Sequence, residues 1–214
     1  RVAVNLPAFL GEIRERLQSP VVWQNDPLRI VLAPKSQHWR VRQSNWEPAE
    51  KGARSLKLRP LAHVSLADQV AATAIVLCLA DRVETWQGDP RWPIRDQQSR
   101  KKVISYGNRL FCDESDGILH HRWGSTKLYR AYYMDYRMFL SRPEVVAESF
   151  LKANKWPIYV IHADIKQFYD RVRPALLASA IDRIRRDDDD PAFFELSVAL
   201  LDCSWDPRAR SEER

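Results

Sequence analysis

Residues Ile158–Asp170 read I-Y-V-I-H-A-D-I-K-Q-F-Y-D. Ile158 to Asp164 is a nearly continuous apolar run that ends in a carboxylate. That pattern predicts a central strand covered on both faces. A carboxylate at the edge of a buried strand is costly unless it is paired or binds a cation. Phosphoryl-transfer enzymes accept that cost, because carboxylates at strand ends hold two divalent ions about 3.5–4 Å apart. Magnesium needs few protein carboxylates and completes its shell with water or phosphate, so two or three Asp residues suffice. The other reading is that Asp164 caps the turn after the strand. The residues alone leave both open.

Around this segment the sequence reads as helix. Pro174 starts a helix through Leu176, Leu177, Ile181 and Ile184, and Pro191 starts another through Phe193, Phe194 and Leu200. Between them Asp187–Asp190 reads as a solvated charge run. Upstream, Tyr129–Phe139 packs aromatics at helical spacing, and Pro143 is expected to open a separate helix to about Ala153. Ser65–Trp86 is the strongest helical pattern, capped by Ser65, with Asp68 in its first turn and Gly88 as its stop. Leu6–Leu17 also has helical spacing, and Leu28–Ala33 reads as a strand. Gln37–Leu58 suits a loop or a β-ribbon; Trp39 and Trp46 there could stack on bases or pack in a core. Gln87–Asp116 reads as irregular, with a basic patch at Arg100, Lys101 and Lys102.

The 214 residues are 45% hydrophobic, which is globular composition and excludes a disordered chain. The formal net charge of +6 suits a polyanionic partner and equally a solvated basic face. Cys78, Cys112 and Cys203 lie outside any zinc spacing. They read as free thiols of a reducing, cytoplasmic compartment, with Cys78 as a small core residue. No apolar run has the length of a membrane span, so no membrane partner is expected. His120-His121 reads as a loop pair, and neither a nucleophile triad nor a P-loop is visible. Arg1 and the charged tail lead to the expectation that the chain is cut at both ends.

D-I-K-Q-F-Y-D (Asp164–Asp170) resembles motif A of reverse transcriptases, most closely those of group II introns, retrons and bacterial defence systems. The resemblance implies that Asp164 binds both metal ions and that the carbonyl of Ile165 helps to hold one of them. It also implies that the ring of Tyr169 lies under the nucleotide sugar and selects deoxynucleotides. Leu58–Gln69 (L-R-P-L-A-H-V-S-L-A-D-Q) looks like the fingers segment of the same family, with Ser65 where a Pro is usual. There Arg59, with Lys57 beside it, is the candidate clamp on the incoming triphosphate; a solvated or ion-paired arginine is the other reading. Ser105–Leu110 (S-Y-G-N-R-L) resembles a third segment, which implies that Arg109 touches the template strand. Ala80–Pro90 and the aromatic helix look most like the defence-associated members.

The expectation is therefore an α+β fragment of a right-hand polymerase, helix-rich with a partial palm sheet. Residues 1–155 would be fingers and 156–214 the first part of the palm. The resemblance implies an RNA-directed DNA polymerase acting in antiviral defence. It would use two magnesium ions, with manganese as the substitute, on an RNA template, dNTP and DNA product. Arg100, Lys101, Lys102 and Arg109 would be its nucleic-acid contacts. Motif B, motif C and the thumb are not visible, and the oligomeric state stays open. The alternative is a non-catalytic basic RNA-binding module, or a polymerase-like subunit that needs a partner chain.

Overall fold

The computed structural model describes residues 5–19, 21–34, 39–48, 58–153, 156–165 and 168–208. The elements are α1 (Leu6–Gln18), β1 (Arg29–Pro34), β2 (Trp39–Arg42), β3 (Asn45–Pro48), β4 (Leu58–His63), α2 (Leu66–Gln87), α3 (Gln97–Lys102), β5 (Cys112–Ser115), β6 (Ile118–His121), α4 (Tyr132–Ala153), α5 (Phe168–Arg171), α6 (Pro174–Asp182) and α7 (Pro191–Ala199). Among the described residues the strands form three antiparallel pairs: β1 with β4, β2 with β3, and β5 with β6. The class is α+β. Two compact units are formed, one from Arg1–Ala72 with Asp190–Arg214, the other from Thr73–Asp189. The division does not fall at 155/156, because the last segment returns to the first.

That return is hydrogen-bonded. In the first unit, Leu28 N–H donates to the Ser204 carbonyl and Asp206 N–H to the Leu28 carbonyl, both at 2.8 Å. The Asn25 amide donates to the carbonyls of Leu200 and Asp202 at 3.1 and 2.9 Å, satisfying groups that the end of α7 leaves open. At the start of α2, the buried Asp68 accepts from Trp23 Nε1–H (2.9 Å), Asp26 N–H (3.0 Å) and Ser65 Oγ–H (2.7 Å). Ser65 Oγ in turn accepts Asp68 N–H, so the expected cap forms. The β2–β3 hairpin turns through Gln43 and Ser44, both at positive φ, which matches the twist of a two-residue turn.

The second unit is built on one face of α2. Asp81, Glu84, Thr85 and Gly88 recur at helical spacing, and each meets the segment from Ser105 to His121. Glu84 accepts Arg109 Nε–H at 2.7 Å and Leu110 N–H at 3.0 Å. Arg109 also donates to the carbonyls of Ser105 and Gly88, each at 2.6 Å. Thr85 Oγ1 accepts Leu119 N–H at 2.9 Å, and Asp81 accepts His121 N–H at 2.7 Å. Behind these bonds Ala80, Leu110, Cys112 and Leu119 form a buried cluster against Leu128. The β5–β6 hairpin turns at Asp116-Gly117, both at positive φ. Asp-Gly between two short runs is a strong hairpin signal that the reading of 87–116 as irregular overlooked.

Several expectations are corrected. Ile158–Asp164 forms no strand: it has neither ladder nor helix, and Tyr159 and Ile161 are 85% and 88% exposed. A strand exists only through its partners, and no described strand pairs with this run. α4 is one helix with Pro143 inside it, not two. Proline removes one helical bond there, but anchors hold both halves. Asp135 is buried against Arg130, Arg142 donates to the Val103 carbonyl at 2.7 Å, and Val145 is buried. Cys78 is exposed, because the buried positions of α2 are Asp68, Ala71, Ile75, Leu79, Ala80 and Glu84. The run Asp187–Asp190 is not simply solvated. Asp189 receives both guanidinium N–H groups of Arg82, at 2.5 and 2.6 Å, and Arg186 N–H at 2.7 Å. Asp190 caps α7 through Ala192 N–H at 2.9 Å.

Two outcomes follow from this bonding. Arg109→Ala leaves Glu84 buried and unpaired, so it should lower the urea-unfolding free energy by about 3–5 kcal/mol. A loss under about 1 kcal/mol would remove the pair from its central place. The Arg82 bonds hold the Asp189 carboxyl down at about 2. A depressed carboxylate stabilises the fold above the unfolded value of about 4, and that contribution disappears as pH falls through about 2. Asp189→Asn should therefore flatten the fall of the melting temperature between about pH 4 and 2. An identical pH slope in the variant refutes the linkage.

Candidate active site around Asp164

The segment carrying Asp164 has no regular secondary structure from Pro157 to Ile165 and is solvent-facing along nearly all its length. Ile165 is 62% exposed, as is expected of a backbone that covers nothing on that side. No described residue hydrogen-bonds or ion-pairs with the Asp164 carboxylate, which is exposed. A cap on the following turn would use the backbone N–H groups of Lys166 or Gln167, which lie outside the described residues, so the capping reading stays open. The chain then passes through Lys166 and Gln167, which lie outside the described residues, into the short helix α5. Tyr169 is on α5 by its backbone; its ring, like the side chain of Asp170, lies outside what is described. Pro174 opens α6 with its missing N–H in the first turn, as expected.

Among the described residues no group of three or more His, Cys, Asp or Glu side chains is placed to hold a metal ion. Among the described residues the donor set for magnesium is thus the Asp164 carboxylate with the Ile165 carbonyl beside it. That fits an ion that keeps most of its water and binds phosphate, because magnesium is commonly held by one or two carboxylates. It does not by itself make a two-ion cage, which needs further bridging carboxylates.

The other candidate residues separate by burial. Arg109 was expected to touch a template strand, but its guanidinium is fully buried and its donors are used by Glu84, Ser105 and Gly88. Arg100 is also buried, and its guanidinium donates to the Ile94 carbonyl at 2.9 Å. Both are corrected from nucleic-acid contacts to structural residues: an arginine beside chain turns is recruited to satisfy carbonyls that water cannot reach. Lys101 and Lys102 are exposed at the end of α3, with the Lys102 ammonium 5.9 Å from the Trp92 ring. Arg59 is exposed on β4 opposite Ala33, in the first unit. Lys57 lies outside the described residues.

The His pair is in β6 rather than in a loop. His121 is buried with its ring edge-on to Trp123 at 5.2 Å, and among the described residues its Nδ1 has no hydrogen-bond partner. His120 Nδ1 lies 3.3 Å from Asp81. Cys112 faces His121 across the ladder, but burial pushes its thiol up to about 12, so it is not a thiolate nucleophile.

The chain matches no protein-family model, curated protein or solved structure.

No helix among the described residues is long and apolar enough to cross a membrane. What the sequence reading overlooked is the groove between residues 104–108 and the first half of α4, lined by Tyr106, Tyr132, Tyr136 and Phe139. Its signal was present in the aromatic spacing at 132, 136 and 139, which was used only to place a helix. Because the Asp164 carboxylate is exposed and engaged by no described residue, Asp164→Ala should leave the unfolding free energy within about 0.5 kcal/mol of the parent. A larger loss in a chemical-denaturation measurement would show that the side chain is structural.

Proposed function

We propose that the chain is the fingers and the first part of the palm of an RNA-directed DNA polymerase, of the kind that serves bacterial antiviral defence. The observation that carries this reading is the pairing of A-D-I-K-Q-F-Y-D with an Asp164 carboxylate that faces solvent and is engaged by no described residue. Several carboxylates with a structural task in this protein are bonded to described residues, whether buried, as Asp68, Glu84 and Asp135 are, or exposed, as the helix cap Asp190 is. Among the described residues nothing gives Asp164 such a task, which supports reading it as a cation ligand. Asp164, with the Ile165 carbonyl, would hold the magnesium ions, which supply charge neutralisation on the phosphate oxygens. Lys57 and Arg59 would steady the triphosphate, and the ring of Tyr169 would exclude a 2′-hydroxyl. The acceptor would be a primer 3′-hydroxyl or a protein hydroxyl, the template RNA, and the site cytoplasmic.

The second reading is a non-catalytic RNA-binding module, or a subunit whose site a partner chain completes. The net charge of +6 and the exposed Lys101 and Lys102 favour it equally well, since they require affinity and not chemistry. Primer extension on an RNA template decides between them. Asp164→Ala should remove magnesium-dependent nucleotide incorporation while the melting temperature stays unchanged. Incorporation at near-parent rate in that variant removes Asp164 from the mechanism. Salt-sensitive but magnesium-independent RNA binding, with no incorporation by the parent chain, selects the module.

A further inference from the structure

We propose that the groove between residues 104–108 and the first half of α4 is a binding site for single-stranded polynucleotide, held by base stacking on a tyrosine–phenylalanine ladder. The groove has a volume of about 770 Å³. Tyr132, Tyr136 and Phe139 lie at helical spacing on one face of α4, and Tyr106 forms the opposite wall. The rings of Tyr136 and Phe139 are stacked at 6.2 Å and 26°, while Tyr106 is tilted against Phe139 at 6.4 Å. Tyr132 is 77% exposed and Tyr136 is 53% exposed, so their faces are open to a ligand.

Charge selects the occupant. Among the described residues no carboxylate lines the groove, and Arg142 does, its guanidinium 5.7 Å over the Tyr106 ring. Exposed Lys101 and Lys102 precede the 104–108 wall, and exposed Arg137 follows Tyr136 on α4. A partner that offers flat π-faces and negative charge together is a nucleic-acid strand with unpaired bases. Duplexes keep those faces stacked inside and cannot present them. A second copy of this chain would bring the same arginine and lysines against themselves, which like-charge repulsion disfavours. Asn108, exposed at positive φ on the rim, adds an amide for a base edge. The groove includes none of the residues assigned to catalysis, so this binding holds for a catalytic or a non-catalytic chain.

The test uses the full chain, without magnesium, and a 5′-fluorescein oligouridylate of about 12 nucleotides, a length within the range one single-strand site covers. Fluorescence anisotropy reports binding. Tyr132→Ala with Tyr136→Ala should weaken it roughly ten-fold or more, and Tyr132→Phe with Tyr136→Phe should keep it within about two-fold. An abasic oligomer with the same number of phosphates should bind the parent chain more weakly by a similar factor, and this arm needs no variant to fold. Equal binding of the abasic and uridylate strands overturns the proposal, as does parent-like affinity of the alanine pair. A parent dimer in sedimentation that the alanine pair dissociates also overturns it, in favour of a contact between copies. Asp164→Ala should bind the oligomer as the parent does, so loss of polymerase activity leaves this site standing and loss of binding leaves the polymerase assignment standing.

Discussion

Much of the second unit depends on one buried ion pair, Glu84 with Arg109. Both side chains are almost wholly removed from water, which costs several kcal/mol per ion unless every donor and lone pair finds a partner. Here they do. The carboxylate takes the Arg109 Nε–H and the Leu110 amide, and the planar guanidinium reaches the carbonyls of Ser105 and Gly88. One arginine thus ties the end of α2 to the segment that leads into the β5–β6 hairpin. Gly88 sits at positive φ, and a Cβ there would strike the Lys102 carbonyl oxygen, so the chain passes close only because that residue is glycine. The bonds from Asp81 and Thr85 then fix the hairpin against the same helix face.

The same device recurs in the first unit. Asp68 gathers the Trp23 indole, the Asp26 amide and the Ser65 hydroxyl at the start of α2. In each case a charge that would be a candidate site residue by type is consumed by backbone and side-chain groups that burial leaves without water. That is why Arg100 and Arg109 cease to be nucleic-acid contacts and why Asp164, which nothing described engages, remains a candidate ligand. Charge alone does not separate function from structure in this chain; burial and partner count do.

Among the described residues of the second unit, two stretches group several exposed apolar side chains. One is the irregular run with Tyr159, Val160 and Ile161; the other is the aromatic face of α4. They differ in chemistry. The run is mostly aliphatic, with Tyr159 among Ile158, Val160 and Ile161, and its backbone pairs with no described strand, the composition of a strand awaiting a ladder. The α4 face carries phenolic hydroxyls beside arginine and lysine, the composition of a surface that meets a flat anionic partner.

The sequence by itself determined α1, α2, α6 and α7. Pro7, Ser65, Pro174 and Pro191 lie in or cap first turns, and Gly88 ends α2, because capping and proline geometry act within a few residues. It also marked Asp164 through a local motif. Asp116-Gly117 was equally local and was overlooked. What only the tertiary structure decided is which charges are spent. Glu84 and Arg109 are 25 residues apart, and Arg82 and Asp189 are 107 apart. No periodicity encodes such pairs. The unbroken α4 and the unformed strand at 158–164 have the same origin: a helix closes its bonds within itself and survives a proline when its sides are anchored, whereas a strand takes its bonds from a neighbour that local sequence does not contain.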